Sequence, residues 1–187
     1  MPSISQETRY GSMALILHWL TAALIVAAII VIWTFKYGTE PHTALRTDLL
    51  IVHRSLGLTV LAVAIIRLGW RLAHGAPPLD PALPAWQRGL AHLVHGALYL
   101  IFFIMPISGY ISSAADNHEV SYFMLFTVPQ IVPNDHALAK LMDNVHSLLQ
   151  WVIYTLIVVH TGAALAHHYL FKDGTLRRML PDSSTAR

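Results

Sequence analysis

Histidine is the residue type in this sequence with the clearest capacity for chemistry. The chain has 187 residues and 12 histidines but no cysteine, which excludes disulfides, thiolate metal sites, iron–sulfur clusters and covalently attached haem. Aspartate and glutamate together number only 10, and carboxylate-poor surroundings disfavour zinc, calcium and non-haem iron centres. Any bound metal would therefore depend on imidazole ligands, and the spacing of the histidines indicates where such ligands meet.

Two histidines share one face of the last long apolar segment. His146 and His160 are 14 residues apart, which at about 100° per residue is about 40° short of four full helical turns. At about 1.5 Å per residue, they lie about 21 Å apart along the helix axis. One helix would therefore present imidazoles at two depths, an arrangement that suits two stacked metal centres.

A second imidazole is available at each depth. Because successive membrane spans run in opposite directions, His18 in the first apolar segment lies at the depth of His160. By the same reasoning, His53 at the start of the second segment lies at the depth of His146. A haem iron with two axial histidine ligands has no open coordination position, is low-spin and is suited to electron transfer. The spacing therefore predicts two b-type haems, one for each histidine pair.

The residues next to these histidines are compatible with a porphyrin. Gly57 and Gly96 each follow a histidine by four residues, and Gly162 follows another by two. Missing side chains leave room for a porphyrin face, although glycines in membrane helices also serve helix packing. Arg54 directly follows His53 and is the candidate partner for a haem propionate.

Further titratable residues near the ends of the third and fourth segments predict a quinone site, because histidine titrates near neutral pH and can relay protons. The candidate quinone-site residues are His95, His167, His168 and Lys172. Two alternatives stay open: these side chains are solvated at the interface, or His95 or His167 replaces one ligand of the inner haem. Four other histidines are interpreted as solvated loop residues, namely His42, His74, His118 and His136.

The elements that position these residues are predicted to be membrane helices. Hydrophobic residues make up 55% of the chain and charged residues 12%, about half the charged fraction of a typical soluble domain. This composition argues against a cytosolic enzyme, a disordered region or a nucleic-acid binder. Long uncharged runs predict an all-α integral membrane protein, a four-helix bundle forming a single domain over residues 1–187. The spans are expected at about residues 14–36, 51–72, 90–112 and 145–171.

The distribution of positive charge predicts the orientation of this bundle. The N-terminal segment, the second loop and the C-terminal segment hold eight of the 12 Lys and Arg residues, and the other two loops hold four. Cytoplasmic segments carry the excess of Lys and Arg. Both termini are therefore expected in the cytoplasm, with the first and third loops on the opposite, outer side.

Several stretches of the sequence resemble the bacterial cytochrome b561 family. They are "LHWLTAALI", "VHRSLGLTVLAVAIIRLGWRL", "GLAHLVHGALYLIFFIMPISGY" and "VHTGAALAHHYLFKDGTLRRMLP". The resemblance implies a four-helix bundle in the bacterial inner membrane with two haems b. Its ligand positions on spans one, two and four fall on His18, His53, His146 and His160. The two span-four ligands, 14 residues apart, are also similar to those in the cytochrome b subunits of formate dehydrogenases and hydrogenases.

The resemblance also implies an activity, because members of this family pass electrons to or from quinone. It extends to superoxide-oxidising members, which implies that the chain oxidises periplasmic superoxide to O2 and reduces ubiquinone. Outer cations would then attract the superoxide anion, the candidates being Lys36, Arg46, Arg54 and Lys140. One alternative is a cytochrome b subunit that relays electrons between a separate dehydrogenase or redox protein and the quinone pool. The other is a haem-free transporter or assembly factor.

Overall fold

Four long helices make up most of the structure, a computed structural model that describes residues 9–79 and 83–180. Each of the four is long and apolar enough to cross a membrane, so the predicted bundle of spanning helices is confirmed. The helices are α1 (Ser12–Tyr37), α2 (Ala44–His74), α3 (Ala85–Ala115) and α4 (His136–Tyr169). A two-stranded sheet of β1 (Val120–Tyr122) and β2 (Phe126–Val128) precedes α4, and a 3-10 turn (Arg177–Met179) follows it.

The helices extend beyond most of the predicted span limits, and α2 and α4 begin at polar capping residues that lie outside the apolar runs. The Thr43 side chain accepts a hydrogen bond from the Arg46 backbone N–H at 3.3 Å and caps α2. The Asp135 carboxylate likewise accepts from two backbone N–H groups and caps α4. The exception is the end of α4, at Tyr169, two residues before the predicted limit. There Lys172 adopts a positive φ of 53°, which the helix cannot continue through.

The helices pack most closely as two pairs, α1 with α2 and α3 with α4, while α2 and α3 contact each other less extensively. Their shared core lies at mid-depth and includes Ile25, Val60, Ala64, Leu98, Ile101, Phe102 and Ile153. Ile153 lies midway between His146 and His160 on α4. Many large apolar side chains remain exposed, as lipid-facing residues are expected to be. The core therefore separates the two depths at which the histidines lie.

The loop before α4 contains a β-hairpin, which the all-helical prediction did not include. Its strands pair antiparallel, and the turn between them has positive φ at Phe123 and Met124. The hairpin packs against α2, where the Phe123 backbone N–H donates to the buried Ser55 Oγ at 2.7 Å. The Tyr122 hydroxyl also lies 3.0 Å from the hydroxyl of Thr59. The end of the bundle where this hairpin lies is called the hairpin end, and it includes the end of α1 and the start of α2.

The opposite end, which we call the terminal end, includes the start of α1 and the end of α4. The segment that follows α4 crosses this end and returns to α1. There the Trp19 indole N–H donates to the Met179 carbonyl at 2.7 Å, and the Arg9 guanidinium donates to the Leu180 carbonyl at 3.2 Å. These bonds hold the chain after α4 beside His18 on α1.

Candidate functional site

His53 on α2 and His146 on α4 form a facing pair of imidazoles, the hairpin-end pair. Their ring centroids are 6.3 Å apart and the ring planes are perpendicular. Two metal–nitrogen bonds of about 2.0 Å, plus about 1.1 Å from each nitrogen to its ring centre, add to about 6.2 Å. The separation is therefore the one expected for two imidazoles that share one metal ion.

Backbone carbonyls fix which nitrogen of each ring in this pair is available. His53 Nδ1 lies 3.1 Å from the Ala28 carbonyl oxygen, and His146 Nδ1 lies 2.9 Å from the Met105 carbonyl oxygen. A carbonyl oxygen accepts only, so each Nδ1 carries the proton and donates it. Each Nε2 is then left with its lone pair. This is the arrangement that metal-binding histidines use to fix their tautomer and ring orientation.

A glycine on α3 allows close approach to the hairpin-end pair. A Cβ atom at Gly109 would lie 3.0 Å from Cε1 and Nδ1 of the His146 ring. In the sequence, Gly109 is only a small residue in an apolar span, so its contact with His146 could not be predicted. A Cβ at Gly57 would meet Pro106 at 3.9 Å, while at Gly96 and Gly162 it would meet nothing within 4 Å. The open space at these last two positions is compatible with the predicted room for a porphyrin.

A cavity of about 550 Å³ surrounds the hairpin-end pair, within the range of cofactor and ligand sites. Most of its lining is apolar, and its charged lining residues are Lys36, Arg54, Lys140, Asp116 and Asp143. Among the described residues, no hydrogen-bond or ion-pair partner is found for the half-buried Arg54 guanidinium. An unpartnered, partly buried cation next to His53 fits the predicted propionate contact. These features fit a b-type haem in this cavity.

One predicted outer cation, Arg46, does not line this cavity. Its guanidinium donates to the Phe35 carbonyl at 2.8 Å and lies 4.1 Å above the Phe35 ring. Lys36, Arg54 and Lys140 do line the cavity, and the Lys36 ammonium donates to Gln150 Oε1 at 3.0 Å. The structure therefore assembles three of the four predicted cations, and Arg46 instead holds the end of α1 against α2.

His18 on α1 and His160 on α4 form the terminal-end pair, with ring centroids 6.2 Å apart. The ring nitrogens of this pair have different neighbours from those of the hairpin-end pair. Arg67 Nη2 lies 3.0 Å from His18 Nδ1, and because a guanidinium only donates, Nδ1 accepts in this contact and Nε2 carries the ring proton. Binding of iron by His18 Nε2 would therefore require the proton to move to Nδ1 and the Arg67 contact to break. The His95 ring lies 5.3 Å from that of His160 in an edge-on contact. Three imidazoles thus meet at this depth, and the His18–His160 separation is the one that matches two metal–nitrogen bonds.

The predicted quinone-site residues are only partly brought together. His168 and Lys172 line a recess of about 270 Å³ with Tyr169, Asp173 and Arg177. His95 lies instead beside the terminal-end pair. His167 is connected to this recess through Asp173, whose Oδ2 accepts a hydrogen bond from His167 Nδ1 at 2.5 Å. Asp173 was not identified from the sequence, although it follows Lys172 directly.

Hydrogen bonds also hold Asp173 in its charged form. Burial raises the pKa of this carboxyl. Hydrogen bonds from the Thr175 backbone N–H and from His167 lower the pKa by more than burial raises it, so the pKa lies below the usual value. The Thr175 bond, to Asp173 Oδ1, is 2.8 Å long. Asp173 is therefore an acceptor at both oxygens.

The four histidines interpreted as solvated loop residues are all exposed, as predicted, but two of them lie at helix ends and not in loops. His74 is the last residue of α2, where its ring stacks on Trp70 at 3.8 Å, and His136 is the first residue of α4. His136 Nδ1 donates to Asp116 Oδ1 at 2.9 Å, and this hydrogen bond lowers the pKa of the exposed Asp116 carboxyl. Both histidines were placed in loops because polar helix ends carry little apolar periodicity.

The sequence of this chain also matches a known family over nearly its whole length. The model of the prokaryotic cytochrome b561 family matches residues 9–182. The chain belongs to this family. Membership implies b-type haem, and with four spanning helices it makes this cytochrome a multi-pass membrane protein.

Three relatives align over nearly the full length of the chain. Cytochrome b561 homolog 2 of Escherichia coli K12 is 34% identical over 181 residues, 95% of this chain and 94% of the relative. Cytochrome b561 homolog 1 of the same organism is 32% identical over 176 residues, 92% and 97% of the two chains. The probable superoxide oxidase CybB of Yersinia pestis is 30% identical over 175 residues, 92% and 96% of the two chains.

Proposed function

We propose that this cytochrome holds two b haems, one at the hairpin-end pair and one at the terminal-end pair, and carries electrons between the two faces of the bacterial inner membrane. The observation that carries this proposal is the pair of matching ring separations, 6.3 Å and 6.2 Å, at two depths of the bundle. Bound haems would supply one-electron chemistry at both depths. The protein's part is to fix the ligands, to exclude water and to supply charges and protons at the two ends.

At the hairpin end, the proposed substrate is superoxide, which loses one electron and becomes O2 without any proton transfer. The residues there need only attract an anion toward the cavity. Lys36, Arg54 and Lys140 line that cavity, while Asp116 and Asp143 reduce the local positive field. A relative that is 30% identical carries the name probable superoxide oxidase, which supports this substrate.

At the terminal end, the proposed acceptor is ubiquinone. Its reduction takes two electrons and two protons, so this end needs groups that can bind and deliver protons. His167, His168 and the Asp173 carboxylate are grouped there, beside Lys172. The excess of Lys and Arg at this end favours a cytoplasmic location, from which the protons would be drawn.

A second candidate function is electron relay for a separate dehydrogenase or redox protein. The relative with 34% identity is named only as a cytochrome b561 homolog, without a substrate. In this case the hairpin-end cavity would hold the same haem, but a protein donor would replace superoxide. Co-purification of a stoichiometric soluble partner, and haem reduction by that partner but not by superoxide, would favour relay.

The proposed function is tested by spectroscopy on the protein purified in detergent. Superoxide should reduce low-spin b haem to a large fraction of the level that dithionite reaches, and added ubiquinone analogue should reoxidise it. Haem that dithionite reduces but superoxide does not would contradict the superoxide assignment and leave the relay function. A purified protein without haem would contradict both functions.

A further inference from the structure

The segment after α4 folds back so that one carboxylate meets one imidazole outside the two histidine pairs. Asp173 Oδ2 accepts from His167 Nδ1, and the Asp173 backbone N–H donates to the His167 carbonyl at 3.1 Å. The Thr175 backbone N–H holds the other carboxylate oxygen. Both side chains are mostly buried, at 15% exposed for His167 and 21% for Asp173. The carboxylate is thus fixed by backbone contacts, and it fixes the imidazole in turn.

This contact determines the tautomer of His167. The ionised carboxylate accepts the Nδ1 proton, so Nε2 is the nitrogen that gains or releases a further proton. Among the described residues, no hydrogen-bond partner of Nε2 is found. His167 lies seven residues beyond His160, about 10.5 Å further along α4 toward the terminal end.

A lysine, an arginine and a further imidazole lie around the pair. His168, Lys172 and Arg177 line the recess that Asp173 borders, and Asp173 is its only acidic lining residue among those described. The Phe171 ring packs against the His167 ring at 5.2 Å and covers part of it. A negative charge held between these groups can balance the positive charge that His167 carries while it is doubly protonated.

We infer that Asp173 is a positioning residue that sets His167 to deliver protons to the quinone, an inference that rests on the proposed reduction of ubiquinone. His167 Nε2 takes a proton from water on the terminal side. As each electron reaches the quinone, the Nε2–H bond breaks and an O–H bond forms at a quinone oxygen. Two electrons and two such transfers convert one quinone into one quinol, and His167 is reloaded from water after each transfer.

The matched variant for this inference is Asp173→Asn. Its side-chain oxygen still accepts from the Thr175 N–H, but its amide nitrogen cannot accept from His167 Nδ1, so the preferred tautomer is reversed. We expect reoxidation of the dithionite-reduced protein by a ubiquinone analogue to slow by about 100-fold. Reoxidation by ferricyanide, which takes an electron without a proton, should be unchanged, as should the haem content and spectrum.

The pH profile separates proton delivery from a purely structural role. In the wild-type protein the rate of quinone-driven reoxidation should fall as pH rises, because each reduced quinone consumes two protons at this end. In Asp173→Asn this dependence should flatten. Asp173→Glu, which keeps the carboxylate, should restore part of both the rate and the profile, and Asp173→Gln of the same length should not. Asp48→Asn, an exposed change at the hairpin end, is the control and should behave as wild type.

Two results would overturn the inference. One is an Asp173→Asn protein with the wild-type rate and pH profile. The other is equal slowing with quinone and with ferricyanide, which would mean that Asp173 only maintains the fold. If Asp173→Asn loses haem, the reoxidation rates of Asp173→Glu and Asp173→Gln are compared instead. Equal rates in these two variants would overturn the inference. Failure of the wild-type protein to be reoxidised by quinone would refute the proposed function itself, and proton delivery with it.

Discussion

The two histidine pairs have nearly the same ring separation but different surroundings. In the hairpin-end pair, both Nδ1 atoms donate to backbone carbonyls, and Gly109 lets α3 approach the His146 ring closely. In the terminal-end pair, Arg67 donates to His18 Nδ1, and among the described residues no hydrogen bond to the His160 ring is found. One site is therefore prearranged by the backbone, while the other is shaped by a cation. The comparison shows that spacing alone predicts where ligands meet and leaves their protonation undetermined.

The largest expected effect comes from removing one ligand. His146→Ala should lose the haem of the hairpin-end pair and retain the other, because His160, the α4 member of the terminal-end pair, lies about 21 Å away along that helix. Haem quantitation and low-temperature spectra of the purified variant check this result. Loss of both haems from a folded protein, or of neither, would contradict the pairing of His53 with His146.

A smaller effect is expected where α3 approaches the hairpin-end pair. Gly109→Ala would place a Cβ atom 3.0 Å from the His146 ring, so we expect the ring to shift and haem retention at this site to fall several-fold. Gly69→Ala is the matched control, since its Cβ would meet nothing within 4 Å. Because Gly69 lies in the interior of α2, Gly69→Ala should stabilise the helix by up to about 1 kcal/mol.

The measurement for this pair of variants is the rate of haem transfer to a haem-scavenging apoprotein, followed by absorbance. Faster transfer from Gly109→Ala than from Gly69→Ala is the expected result. Equal rates would mean that the close approach of α3 to His146 has no bearing on haem binding.

The smallest effect expected is a shift in reduction potential at the terminal-end pair. Arg67 places a positive charge beside His18, which favours the reduced state of a nearby haem. Arg67→Gln should therefore lower the potential of that haem by tens of millivolts, up to about 59 mV for a tenfold change in the one-electron equilibrium. The other haem should move less, because Arg67 lies at the opposite end of the bundle.

A spectroscopic redox titration of wild type and Arg67→Gln makes this measurement. Arg54→Gln is the complementary variant and should lower mainly the potential of the hairpin-end haem, whose cavity Arg54 lines. If both variants shifted the same haem, the assignment of one cation to each site would be wrong.

The sequence predicted the parts of this molecule that depend on local pattern. Uncharged runs predicted the four helices, and the 14-residue spacing on α4 predicted two depths for histidine. The carbonyls of Ala28 and Met105 could not be predicted in this way, since any residue type supplies a backbone oxygen. Gly109 and the β-hairpin depend on contacts between distant segments, such as that of Phe123 with Ser55. Asp173 was missed because its role depends on how the chain turns after α4.

We expect this chain to bind one haem at each histidine pair. A pyridine haemochrome assay of the purified protein, combined with an independent measurement of protein concentration, tests it most directly. Two haem b per chain is the expected result, and one haem or none per chain would mean that the two histidine pairs are not two haem sites.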